Sequence, residues 1–337
     1  MKALAFYGTR DLRMEERAIP VPAEDEILVR TRAATICTSD INDLKYNTFG
    51  LPVSTIMGHE GSGDVVSVGS KVQNIQPGDR VTAHPVMPCG KCDSCRRGLP
   101  HLCDDMTHLG LNKGGVFAEY FCIRADRVRK IPEGMDYALA SLMEPVCVCL
   151  EAVERAAVQP GGNVLILGDG PFGILTAKLV QSRRPGCVVV TGRHDFRLKH
   201  ATHAVGINEK AAPDIQEAIL AASGGEGMDS AILCAGNAQA VNTAIQCLRA
   251  RGTLAIFSVV SPMPDIDLFR VHVKELNLCG CCNDNDYLDQ AIQLLADPAL
   301  RLEEVITHRL PFAEWERAFH LAEFGKDEAL KVTLTFD

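Results

Sequence analysis

The sequence lacks a basic excess: 34 Lys and Arg stand against 43 Asp and Glu, for a formal net charge of −9. Nucleic-acid binders draw much of their affinity from Lys and Arg neutralising phosphates, so no nucleic-acid partner is expected. Also missing is any uninterrupted apolar run of about 18 residues, which a membrane-spanning helix would need. Residues 1–10 lack the stretch of about 7–15 apolar residues of a secretory leader, so the expected address is cytoplasmic, with no membrane partner. Internal repeats and low-complexity segments are absent as well. With 47% hydrophobic and 23% charged residues, the composition is that of an ordinary globular protein and excludes disorder and collagen-like fibres. At roughly 100–200 residues per domain, 337 residues predict two domains.

What is present changes style along the chain. As far as about Glu144, short β-like runs such as residues 26–30 and 63–69 are broken by Gly and Pro, which predicts a turn-rich, all-β half. Beyond Pro160-Gly161-Gly162, β runs at residues 163–167, 187–191, 230–234 and 253–259 alternate with helix-like segments. That alternation predicts a parallel sheet covered by helices on both faces. The tail holds amphipathic stretches near residues 287–296 and 315–324 and a β-like run at 331–336, and is expected to pack back on the first half.

Fourteen cysteines in a long cytosol-type chain are read for metal before disulfides. Cys89, Cys92, Cys95 and Cys103 follow a Cys-x2-Cys-x2-Cys-x7-Cys spacing within a Gly- and Pro-containing segment. Tetrahedral zinc needs four thiolates converging on one point, and Cys-x2-Cys pairs in tight turns supply them. A redox pair or an iron–sulfur cluster is the other chemistry such a group serves. Cys122, Cys187 and Cys234 sit in β runs and read as small buried hydrophobes, as do Cys279, Cys281 and Cys282. Cys147 and Cys149 read as core residues, with the lining of a substrate cleft as the alternative.

Two further motifs carry chemistry. Cys37-Thr38-Ser39-Asp40 and Gly58-His59-Glu60-Gly61 put thiol, imidazole and carboxylates into one half of the chain. Gly168-Asp169-Gly170-Pro171-Phe172-Gly173 follows an apolar strand and precedes a helix-like segment, the context in which Gly-x-Gly-x-x-Gly binds a dinucleotide. The glycines permit a tight turn, and the helix N-terminus receives the pyrophosphate.

Together these motifs resemble the zinc-containing medium-chain alcohol and polyol dehydrogenases. The resemblance extends over nearly the whole chain, including Gly114-Gly115-Val116-Phe117-Ala118-Glu119-Tyr120, Glu144-Pro145 and Lys331-Val332. It implies an α/β fold: a GroES-like, β-rich catalytic domain over residues 1–145 and 286–337, and a Rossmann-type doubly wound parallel sheet over residues 146–285. It also implies two zinc ions, one structural on the four-cysteine lobe and one catalytic on Cys37 and His59, with either Glu60 or Glu144 as third ligand. Glu144 stands where alcohol dehydrogenases of the family carry Cys and sorbitol-type members carry Glu, which points to the polyol branch. Alternatively, Glu144 is simply an acid favoured at a helix N-terminus. Asp40 is expected to brace the His59 ring, as carboxylates do for zinc-bound histidines, and Ser39 to accept the substrate proton. Asn42 replaces a histidine common in the family and cannot relay that proton onward near neutral pH.

Cofactor choice is read about twenty residues beyond the glycine loop, where an acid selects NAD and an Arg accommodates the NADP phosphate. Gly192-Arg193-His194 has no acid at the strand tip. The reading is that Gly192 leaves room for a 2′-phosphate clamped by Arg193 and assisted by Arg197, favouring NADP(H) over NAD(H). A shifted register would instead present Asp195. Ala235 and Ser258, at the ends of later strands, are expected to flank the nicotinamide half, and a cleft between the two domains to enclose the reaction. The expected activity interconverts a secondary alcohol of a polyol, sugar or cyclitol with its ketone, in a homodimer or homotetramer. Two alternatives are an NAD-dependent threonine- or sugar-acid-type dehydrogenase and a weakened nucleotide-sensing protein. A zinc-free quinone or enone reductase would lack both metal constellations.

Overall fold

The computed structural model describes all residues, Met1–Asp337. The chain divides into two compact units: Met1–Pro145, Asn285–Asp297 and Ile306–Asp337 in the first, Val146–Asp284 and Pro298–Val305 in the second. No helix is long and apolar enough to cross a membrane.

The first unit is built on a sheet in which Glu26–Thr35 is central. It pairs antiparallel with Glu60–Val68 on one side and with Lys331–Thr335 on the other. The register sets Thr35 opposite both Glu60 and Thr333. Successive side chains of a strand point to opposite faces, and Lys331–Thr335 uses this period fully. Val332 and Leu334 join a core that includes Leu4, Ile27, Val29, Phe117 and Phe121. Each such side chain contributes about 1.5–3 kcal/mol when fully buried. The alternate face carries Lys331 and Thr333, equally buried but polar. Hydroxyl contacts of Thr35 with Thr333 at 2.7 Å and Ser141 at 2.6 Å keep that face satisfied.

The second unit is a six-stranded parallel sheet in the order Val205–Asn208, Cys187–Gly192, Asn163–Leu167, Met228–Leu233, Leu248–Ile256, Asn277–Gly280. Residues Val164, Leu165, Ile166 and Leu167 are all buried, as expected of a strand covered on both faces. The helix Pro171–Val180 starts directly after the glycine loop, with Gly170 as its N-cap. Pro171 at the first helical turn loses nothing, since the N–H it lacks has no partner within the helix.

The resemblance puts residues 286–337 with the first unit as one block, whereas in the structure Pro298–Val305 groups with the second. The cause is local burial: Leu300, Leu302 and Val305 are inside, and the buried ammonium of Lys178 reaches Glu304 at 2.9 Å and Thr202 at 2.8 Å.

Candidate active site and dinucleotide loop

Cys37 is the N-cap of the helix Thr38–Tyr46, and the acid three residues later serves two purposes. Asp40 Oδ2 accepts the Cys37 N–H at 2.9 Å, closing the helix terminus, while Oδ1 lies 3.3 Å from His59 Nδ1. His59 Nε2, on the other edge of the ring, is 3.4 Å from Ser39 Oγ. Glu60, brought opposite Thr35 by the sheet register, is gripped through both carboxylate oxygens by Lys331, at 2.5 Å for Oε2. All of these side chains except Ser39 are buried.

Donor atoms of Cys37, His59 and Glu60 lie within 4.8 Å of one another. Thiolate, imidazole and carboxylate are all donors that zinc accepts, so the residues fit that ion. Burial and then the charge of Glu60 raise the Cys37 thiol, against the pull of His59 and Lys331. Burial alone would lower His59, but the Asp40 carboxylate and Cys37 outweigh it and the imidazole is raised well above its usual value. Glu144 lies in the first turn of Met143–Arg155, buried but outside the three-donor group. Its charge still reaches Lys331 and strengthens that ammonium. Asn42, two residues along the helix from Asp40, is exposed.

The four cysteines of the lobe converge as a second group, each ligand atom within 4.8 Å of the others. Backbone N–H groups point at the sulfurs: Lys91 and Cys92 to Cys89 at 3.5 and 3.4 Å, Cys95 to Cys92 at 3.4 Å, Cys89 to Cys103 at 3.3 Å. Those to Cys89 lower its thiol to about 7, toward the thiolate that metal binding requires. This closed four-sulfur set fits structural zinc. Every cysteine in the chain is a free thiol. Cys147 and Cys149 are fully buried, and Cys279 and Cys281 donate to the carbonyls of Arg155 and Ile256 rather than joining a metal-type group.

In the second unit, the glycine loop is required by close approach. Gly168 has φ +120° beside the backbone of Cys234, and a Cβ on Gly173 would lie 1.9 Å from the Gly168 carbonyl oxygen. Phe172 packs edge-on against Phe257 at 5.4 Å between ring centres. Ser258 N–H bonds the Leu233 carbonyl at 3.0 Å, just beyond the strand ends, and Ala235 follows Cys234, whose N–H bonds Leu167 at 2.9 Å. Arg193 is exposed at the strand tip, whereas Arg197 is buried. Asp195 accepts from Asn208 at 2.7 Å. The room expected beside Gly192 is filled: a Cβ there would lie 2.3 Å from Cβ of Asp169, so the side chain of Asp169 takes that space.

Three residues carry more than sequence reasoning assigned them. Lys331 pairs with Glu60, and a lysine leading a strand that holds no other charged residue is the available signal. Asp169, between the first two glycines of the loop, accepts from the Arg193 and His194 N–H groups. His108 meets His59 edge-on at 5.7 Å, and burial followed by the charge on His59 pushes it down to about 3, which keeps it neutral. Nothing in its sequence neighbourhood announces that contact.

Family models agree with this architecture: an alcohol dehydrogenase GroES-like domain matches residues 23–133 and a zinc-binding dehydrogenase domain matches residues 170–297. A sorbitol dehydrogenase of Bacillus subtilis (strain 168) is 30% identical over 342 residues, covering 98% of this chain and 96% of that protein. Among solved structures, an Escherichia coli alcohol dehydrogenase complexed with NADH is 26% identical, with a TM-score of 0.93 and coverage of 100% and 99% of the two chains. A Sinorhizobium meliloti 1021 structure bound to NADP is 28% identical, with a TM-score of 0.93 and coverage of 99% and 98%. Sequence, donor geometry and likeness over the full length converge: the chain belongs to the zinc-containing medium-chain alcohol and polyol dehydrogenases, oxidoreductases that act on CH–OH groups.

Proposed function

We propose that this chain interconverts a secondary alcohol of a polyol, sugar or cyclitol with its ketone, using a nicotinamide dinucleotide as hydride carrier. The observation that carries the reading is the buried convergence of Cys37, His59 and Glu60, with Asp40 on the imidazole and Lys331 on the carboxylate. Zinc held there supplies Lewis acidity toward the substrate oxygen. Asp40 fixes the ring of His59 so that Nε2 faces the donor group. Ser39 Oγ is the hydroxyl beside that edge and takes the substrate proton. Because Asn42 on the same helix is exposed and does not titrate, water carries the proton onward.

Two buried carboxylates compete for the third ligand position. Glu60 has proximity but is already paired with Lys331, and Glu144 is close enough to influence the same ammonium. Zinc analysis of Glu60→Ala and Glu144→Ala assigns the role: the true ligand's variant loses catalytic zinc while the four-cysteine site stays loaded. A polyol-class substrate is supported by Glu144-Pro145 and by the likeness to a sorbitol dehydrogenase. One structural and one catalytic zinc per chain, and assembly as a homodimer or homotetramer, complete the proposal. Arg193 is the group on which the sequence preference for NADP(H) rests.

The test is turnover by zinc-analysed protein against polyols, sugar acids, amino alcohols, aminocyclitols and their ketones, each with both dinucleotides. Turnover confined to polyols, sugars or cyclitols is the expected result. Protein replete in zinc and dinucleotide that turns over none of them would overturn the proposal.

A further inference from the structure

The space beside Gly192 contains a carboxylate delivered from another part of the chain. Asp169, the residue between the first two glycines of the loop, reaches across to the tip of Cys187–Gly192. Its Oδ2 accepts from the Arg193 N–H at 2.7 Å, the His194 N–H at 2.7 Å and the His194 ring Nδ1 at 3.0 Å. Two consecutive backbone N–H groups aimed at one point, with an imidazole beside them, form an anion-binding nest. In this chain the nest is filled by the protein's own anion, and all three donors converge on one oxygen. Oδ1 has no protein donor and remains available as an acceptor.

We infer that Asp169 is the cofactor-specificity residue, selecting NAD(H) against NADP(H) by supplying from the glycine loop the acid that the strand tip lacks. The inference rests on the proposal that this loop binds a nicotinamide dinucleotide. A ribose 2′-hydroxyl can donate to Oδ1. A 2′-phosphate brings between one and two negative charges, needs the donors that Asp169 already occupies, and faces a fixed carboxylate with few means to move away. Gly192 makes the arrangement possible, since any side chain there would meet Asp169 at 2.3 to 2.6 Å. Arg193 is exposed at the same tip while Arg197 is buried, and the contact between Arg193 and Asp169 runs through the Arg193 backbone N–H. This reverses the preference drawn from the sequence, where Gly192 and Arg193 were weighed without Asp169.

The experiment is direct binding of NADH and NADPH, by nucleotide fluorescence or calorimetry, to wild type, Asp169→Asn and Asp169→Ala. Wild type is expected to bind NADH more tightly. Charge-assisted hydrogen bonds of this kind correspond to about 10- to 100-fold in affinity, so Asp169→Ala should move the NADPH/NADH ratio toward NADPH by that factor. Asp169→Asn keeps the shape and one acceptor, and should give a smaller shift in the same direction with an unaltered fold. Adding Arg193→Ala to Asp169→Ala should remove the gained NADPH affinity. A wild-type preference for NADPH, or equal weakening of both dinucleotides in both Asp169 variants, would overturn the assignment alone. Failure of wild type to bind either dinucleotide would overturn the cofactor reading beneath it.

Discussion

The two units build their chemistry over different distances along the chain. In the second, the dinucleotide loop is a strand, a turn and a helix within residues 163–180, and Gly168 and Gly173 are explained by backbone on the next strand or within the loop itself. In the first, Glu60 and Lys331 are 271 positions apart, and Cys37 joins them only because Glu26–Thr35 pairs with both of their strands. A site of the first kind depends on turn geometry, whereas one of the second kind depends on sheet register and on the balance of buried charge.

The contrast is sharpest at Lys331. Replacing it with Met leaves Glu60 as an unpaired buried carboxylate, and stability should fall by about 3–5 kcal/mol in denaturant melts. Adding Glu60→Gln should recover most of that loss; no recovery would mean that Lys331 acts through packing. The four-cysteine lobe depends on local turns, and Cys92→Ser should release the lobe's zinc and lower the melting temperature, as closed zinc sites contribute folding energy. Retention of full zinc content and thermal stability would contradict a structural metal there. Asp40→Ala removes both the Cys37 cap and the brace on His59, and about a 10- to 100-fold loss of catalytic zinc affinity or activity is expected. In the second unit, Gly192→Ala should displace the Asp169 side chain and loosen dinucleotide discrimination with little effect on the metal content of the first.

The smallest effect concerns Lys178 and Glu304. Burial raises the Glu304 carboxyl, but the hydrogen bond and charge of Lys178 outweigh it, so its pKa lies below the usual 4.5. A lowered carboxyl contributes stability that is present above the unfolded value and is lost as pH falls through the folded one. Lys178→Met should therefore flatten the acid limb of the stability profile below about pH 4.5, which pH-dependent melts would register.

Much of this was legible beforehand where the information is local. The Cys-x2-Cys repeats, the glycine loop after residues 163–167 and the helix Trp315–Phe324 each show in a short window. The division into a β-rich half and a strand–helix half follows from the short apolar runs together with the placement of Gly and Pro. What could not be read depends on pairing. No pattern around Glu60 names Lys331, since strand register is settled by the whole sheet. His108 beside His59 is similarly a meeting of distant segments. Pro298–Val305 leaves the unit of the surrounding tail because Leu300, Leu302 and Val305 are buried there and Glu304 pairs with Lys178, 126 positions away, a partner no local window names. Asp169 is hidden for a different reason: the Gly-x-Gly-x-x-Gly pattern specifies residues without side chains and leaves the position between the first two open.

The closing strand Lys331–Thr335 has a consequence for which kinds of genetic change the protein can survive. Its two faces are both buried, one apolar and one polar, so loss or gain of a single codon within it would exchange them. The ammonium would turn toward the aliphatic interior and a valine toward the carboxylate it serves. Most point substitutions in this strand change one contact, while a one-residue slip within the protein's own sheet would undo the core and the buried Glu60–Lys331 pair together. In-frame insertions and deletions here are thus expected to be lost from any library selected for function well before the substitutions are.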